Sequence, residues 1–189
     1  AGDFELYTPV RLDYIQAMQI GNYLWSKESD RLMIIETVEI ATDVEGPQLT
    51  VTGRSLESIL ERRIITSSAT FSGNVQSIII SMISREVINA SAARKIPNFS
   101  YKLSSDPRIT RTSMEFTARG ENLYDMICSL CQECKIGWRI LPKGTGGFEF
   151  ELFVGTDRSY DQNVNPYVVF SPSFENLLNS NYIKSYKAY

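Results

Sequence analysis

LTVTGRSLESIL, Leu49 to Leu60, is the stretch on which the reading of this chain turns, because it joins a short alternating strand, a glycine and a capped amphipathic helix. FTARGENLYDMI, Phe116 to Ile127, aligns with it without a gap, with Thr50/Thr117, Gly53/Gly120 and Leu56/Leu123 identical. Each shared feature has a physical use. Apolar and polar residues alternate before the glycine, as a half-buried strand requires, and Gly53 and Gly120 allow the positive φ or close backbone approach of a strand-to-helix corner. Ser55 and Asn122 are natural N-caps, whose side-chain oxygens accept orphan amide protons. Glu57 and Asp125 suit the positive ends of the helices, and Leu56 and Leu123 begin their buried faces. The expectation is an α+β, β-rich fold with strand-Gly-helix elements and an internal duplication.

On the N-terminal side, AGDFELYTP reads as a strand ended by Pro9, and VRLDYIQAMQIG as a short helix or turn stopping at Gly21. NYLWS, RLMIIETVEIATD and Gln48 to Thr52 then read as strands, the last two joined through Val44 to Pro47. On the C-terminal side, the helix from Leu56 fades near Arg63 and IITSSATF is extended. Asn74 caps a helix whose Val75, Ile78, Ile79, Met82, Ile83 and Val87 recur at helical spacing. Such an Ile and Met stripe suits core packing better than a lipid or cofactor pocket. Residues 91–112, polar and broken by Pro97 and Pro107, are expected as a linker between a first unit (1–90) and a second (113–189). The second unit reads as strand Ser113 to Thr117, helix Asn122 to Cys134 and strands Ile136 to Leu141 and Phe148 to Val154, then a short helical ENLLNSNY. Both termini read as cut from something longer.

With 43% hydrophobic and 22% charged residues, the chain is of the globular class, and no apolar run approaches the roughly 18 residues of a membrane span. A net charge of −3 with Lys and Arg scattered along the chain argues against specific nucleic-acid binding. Histidine is absent, which removes the usual general base, the Ser-His-Asp and Cys-His arrangements and the commonest zinc ligand.

Cys128, Cys131 and Cys134 have part of an iron-sulfur spacing, but Trp138 stands where a fourth sulfur is expected. Core thiols, free in a reducing compartment, are the simpler reading, and no metal site or cofactor is expected. Gly144, Gly146 and Gly147 lie between two strands and read as a hairpin turn rather than a phosphate loop. An anion at the helix starts after Gly53 and Gly120 would meet Glu57, Glu121 and Asp125. Glu149 and Glu151 share one strand face, as a two-carboxylate glycosidase would need, but solvated strand charges are the simpler reading. Glu36 lies on another strand and reads the same way. The expected catalytic set is therefore empty.

Several segments together resemble the tail-tip hub, baseplate-hub-like, proteins of long-tailed bacteriophages and prophages. They are GDFELYTP near the start, MIIETVEI leading into LTVTGRSLESILERRII, then GTDRS, and finally VVFSPSFENLLNSNY. The resemblance implies split β-barrel-like units and a virion component assembled in the bacterial cytoplasm. It also implies a homotrimer joining the sixfold tail tube to the threefold tip, with other phage tail proteins as partners. Some members carry a peptidase or lysozyme-like region downstream, which does not carry over to these residues. The competing expectations are a hydrolase of cell-wall carbohydrate and a glycan-binding module using exposed aromatics.

Overall fold

The computed structural model describes residues 2–27, 31–44, 46–66, 68–144, 146–177 and 179–181, with Asp43 through its backbone alone. Two compact units result, Ala1–Val154 and Gly155–Tyr189.

The first unit begins with four strands, β1 (Asp3–Pro9), β2 (Tyr23–Trp25), β3 (Leu32–Asp43) and β4 (Gly46–Ser55). They form an antiparallel sheet in the order β1-β4-β3-β2, curled into a half-barrel. Its concave side is apolar because the strands alternate: Phe4 and Leu6 of β1 pack with fully buried Ile35, Leu49 and Val51. A short helix, α1 (Leu12–Ala17), lays Tyr14 and Ile15 on this floor, with Met18 just beyond its end. The pairing of β3 with β4 slips between Ile35 and Thr37, so Glu36 is an extra residue in the ladder. Such a bulge sharpens local twist and bends the strand.

The rest of the unit builds a second, larger core. After the 3-10 helix Leu56–Arg62 come β5 (Ala69–Asn74) and α2 (Val75–Ile83), which runs on as a π-helical turn, Ser84–Ile88. Then follow β6 (Phe99–Lys102), α3 (Pro107–Thr110), β7 (Ser113–Ala118), α4 (Leu123–Glu133), β8 (Gly137–Lys143) and β9 (Gly147–Phe153). β5 pairs with β7, and β9 lies between antiparallel β8 and parallel β6. Asn74 caps α2 as its sequence predicts, accepting from Gln76 N (3.0 Å) and Ser77 N (3.2 Å). The whole stripe from Val75 to Val87 is buried against Leu56, Leu60, Leu123, Ile127 and Phe150, so it packs rather than lines a pocket.

Residues 91–112, expected as a linker, contribute Ile96, Phe99 and Ile109 to this core. Their polar composition hid these three anchors. The Glu149 and Glu151 side of β9, expected to be wet, is partly covered, with Glu151 8% exposed, because β9 is the central strand of its sheet.

The unit Gly155–Tyr189 is organised by polar side chains. Asp157 accepts from Ser159 N (2.9 Å), Gln162 Nε2 donates to the Asn165 carbonyl (2.7 Å), and Asn176 Nδ2 donates to the Val169 carbonyl (2.9 Å). None of its described residues is buried, and Phe170 and Phe174 are exposed. A 3-10 turn, Pro172–Phe174, replaces the helix expected over ENLLNSNY. Glu175 adopts φ 55°, a left-handed conformation that an α-helix does not propagate, and Tyr182 and Leu178 lie outside the described residues.

Candidate assembly site

The two strand-Gly-helix stretches meet in space, at the junction of the 3-10 helix and α4. Gly53 lies inside β4, opposite Phe4 and Ile35. A Cβ there would stand 2.0 Å from the Ile34 carbonyl oxygen and 2.8 Å from the Phe4 ring, so the glycine serves close backbone approach beside the bulge. Gly120 serves the other use: its φ is +87°, and a Cβ would meet nothing within 4 Å.

The caps also diverge. Ser55 precedes the 3-10 helix in an extended conformation but makes no side-chain cap. Its hydroxyl accepts instead from Gly2 N (3.2 Å), while its own amide donates to the Gly2 carbonyl (2.7 Å). The N-cap expected at Ser55 is therefore corrected: the incoming end of β1 takes its side chain. Asn122 does cap α4, accepting from Tyr124 N (2.9 Å) and Asp125 N (3.4 Å). Its Nδ2 donates to the Glu61 carbonyl (2.6 Å), Leu123 N donates to the Arg63 carbonyl (2.9 Å), and Ile65 N to the Glu121 carbonyl (3.0 Å). The start of α4 thus satisfies the end of the 3-10 helix. Leu56 and Leu123, both fully buried, share one core.

A duplication with equivalent corners is not what forms, because one helix is 3-10 and the other α, and the two glycines have different conformations.

Charged side chains reinforce this junction. Arg54 donates through Nε and Nη2 to Glu36 (2.7 and 3.0 Å) and pairs with Glu61, while Arg62 reaches Glu36 at 3.1 Å. The Arg54 hydrogen bonds hold the Glu36 carboxyl below the usual range and push the Arg54 guanidinium up. Glu57, 5% exposed, accepts from Ile140 N (3.3 Å) and from Arg31 (3.4 Å), tying the 3-10 helix to β8.

Glu86, fully buried in the π-helical turn, accepts from Arg85 and Arg94, each at 2.8 Å, and from Thr66 N at 3.3 Å. Burial opposes its ionisation, but bonds from Arg94, Thr66 and Arg85 outweigh that and hold its carboxyl low. Sequence reasoning placed Glu57 only as a helix-start charge and passed over Glu86, because an acid within a helical pattern reads as solvated. The one available signal was apolar company, Leu56 beside Glu57 and Val87 beside Glu86.

The residues weighed for chemistry are engaged elsewhere. Glu151 pairs with Arg139 (2.6 Å) and Lys102 (3.4 Å), and Glu149 with Lys143. Cys131 is buried, and burial pushes its thiol up to about 12, which keeps it from acting as a thiolate. Cys128 on α4 and Cys134 just beyond its end are half-buried. Among the described residues, no group of three or more His, Cys, Asp or Glu stands close enough to hold a metal. No helix among them is long and apolar enough to cross a membrane.

The family model described as Siphovirus ReqiPepy6 Gp37-like protein matches residues 1–188. No curated protein matches the chain. Among solved structures, it is similar to prophage tail protein gp18 from Listeria monocytogenes EGD-e, with 10% identity and a TM-score of 0.49 over 79% of this chain and 39% of that one. It is also similar to the E. coli c3393 protein, with 12% identity and a TM-score of 0.46 over 79% of this chain and 40% of that one. That protein is described as a type VI secretion component structurally similar to T4 bacteriophage tail proteins gp27 and gp5. The chain therefore spans about 40% of the length of these structures.

Proposed function

The chain belongs to the Siphovirus ReqiPepy6 Gp37-like protein family, and from that premise we propose that it is a structural component of a phage tail tip. In this reading it is a hub that joins the tail tube to the distal host-attachment or lytic apparatus. The observation that carries the proposal is the family match along the whole chain, residues 1–188. The geometry supports a scaffold over a hydrolase: Glu36, Glu149 and Glu151 are all held in ion pairs that bind strands and helices to one another. A glycosidase needs two carboxylates flanking a substrate bond, one of them free to exchange a proton.

The assembled form we propose is a homotrimer that contacts other tail proteins in the virion. β1 and β2 are the outer strands of the half-barrel, and edge strands of this kind offer backbone groups to neighbouring chains. Because the two strand-Gly-helix stretches form different corners, the proposed trimer does not rest on their equivalence.

Gold-labelled antibody against this chain, applied to intact virions, should mark the tail tip. Label confined to the head, or absent from particles, overturns the hub. Zymography against bacterial cell walls should show no clearing by these residues. Clearing that disappears in Glu149→Gln or Glu151→Gln would establish the hydrolase instead.

A further inference from the structure

The charge of this chain is distributed unevenly, which the net value conceals. Residues 1–52 hold nine Asp and Glu against three Lys and Arg, whereas residues 53–112 hold four against nine. Folding turns the imbalance into two patches on the first unit.

The acidic patch lies on the convex side of the half-barrel. Glu5 stands across from Thr52, which stands across from Thr37; two residues along, Tyr7, Thr50 and Glu39 line up in the same way. Side chains two apart share a sheet face, so Asp3, Glu5 and Glu39 point to one side. All three are exposed, and none forms a salt bridge among the described residues.

The basic patch gathers where the 3-10 helix ends. Arg62 is directed to Glu36, and Arg94 donates to the Ile64 carbonyl (2.9 Å) and to Glu86 (2.8 Å). Arg63 lies close to both and has no carboxylate partner among the described residues. Its Nη1 donates to the Arg62 carbonyl (3.0 Å), while its Nε is buried without an acceptor. Burial, together with the neighbouring Arg94 and Arg62 charges, draws the Arg63 guanidinium below its usual range. A half-buried cation beside like charges is unfavourable until an anion approaches it. Exposed Ile64 gives this patch an apolar centre.

We propose that the Arg62, Arg63 and Arg94 cluster docks the Asp3, Glu5 and Glu39 face of a second copy of this chain. The inference deepens the proposed ring and rests on it. Charge complementarity selects the occupant: Arg62 and Arg94 already hold Glu36 and Glu86, and each copy carries both patches, so every copy brings the carboxylate that its neighbour's Arg63 lacks. The patches are made of different residues, which allows a head-to-tail contact, the kind that closes into a ring when the rotation permits. Opposite charges across such a contact set register and speed encounter, and like charges there repel.

The test is light scattering and sedimentation of the full chain from about 50 to about 500 mM salt, where screening shortens from roughly 14 Å to about 4 Å. It compares wild type with Arg63→Glu, Glu39→Lys and the combined Arg63→Glu/Glu39→Lys chain. Association should weaken with salt, each single reversal should weaken it about tenfold or more, and the combined reversal should restore most of the loss. Glu39→Lys keeps the test independent of folding, because Glu39 is exposed, and thermal melts check Arg63→Glu. Single reversals that leave a salt-insensitive oligomer unchanged overturn this contact while leaving the ring in place. A wild-type chain that stays monomeric throughout overturns both. Inorganic phosphate that binds at Arg63 with no effect of the reversals on association makes the cluster a small-anion site and overturns the docking.

Discussion

The corner at Gly53 and the corner at Gly120 use the same residue types for different ends. At Gly53 the chain remains in β4, and the glycine leaves room for the backbone of the bulged strand beside it. At Gly120 the chain leaves β7 and turns through a positive φ into open space. Ser55 is held by the N-terminal segment, whereas Asn122 holds α4 with its oxygen and the 3-10 helix with its nitrogen. The difference teaches that a glycine in a strand-to-helix pattern specifies a constraint on space or on φ, and that its neighbours determine which.

Breaking each corner separately should expose the difference. Gly53→Ala should have the largest effect, about 5 kcal/mol or outright failure to fold, since the added carbon meets backbone that cannot rotate away. Denaturant unfolding measures it, and near-native stability would mean that β3 can move aside. Leu56→Ala and Leu123→Ala should each cost roughly 2–5 kcal/mol as cavities in the shared core. Less than additive loss in the double variant would confirm direct coupling of the two corners, and strict additivity would separate them.

Asn122→Ala should cost about 2 kcal/mol, because it removes a cap and leaves the Glu61 carbonyl without its donor. Ser55→Ala should cost about 0.5–1 kcal/mol, the loss of one partly exposed hydrogen bond. Equal costs would mean that Ser55 acts as a cap after all. Gly120→Ala should cost about 1 kcal/mol from left-handed strain alone. That modest value beside Gly53→Ala is the sharpest comparison of the set.

The smallest effect should be in acid. Glu36 has a folded pKa below its unfolded value, so its contribution is complete above the ordinary carboxylate range and is lost as pH falls through the depressed value. Wild type should therefore lose more stability than Glu36→Gln between about pH 5 and about pH 3, as thermal melts across that range would measure. Parallel curves would show that the Arg54 pair adds nothing measurable to the first corner, as is common for partly exposed pairs.

Much of the element order was legible. The alternation of β1 and the stripe of α2 survive because each is a local pattern with one periodicity and one buried face. Asn74 and Asn122 were legible as caps, since a cap needs only the next two or three amides. Ser55 was not, because its competitor, Gly2, lies far away in sequence. Glu57 and Glu86 were hidden for the same reason: their partners Ile140 and Thr66 arrive from other elements.

By itself, the sequence determined a β-rich globular chain without histidine, the positions of most strands and helices, two buried leucines at the corners, and the resemblance to tail-tip hub proteins. The resemblance rests on whole segments such as LTVTGRSLESILERRII, whereas the other properties follow from composition and short-range periodicity, which need no knowledge of distant neighbours. Only the tertiary structure decided that residues 91–112 join the core, that the two glycines answer different constraints, and that Arg62, Arg63 and Arg94 converge. Each of those depends on contacts between residues far apart in the chain, where close packing and charge set the outcome and local pattern carries no record of the partner.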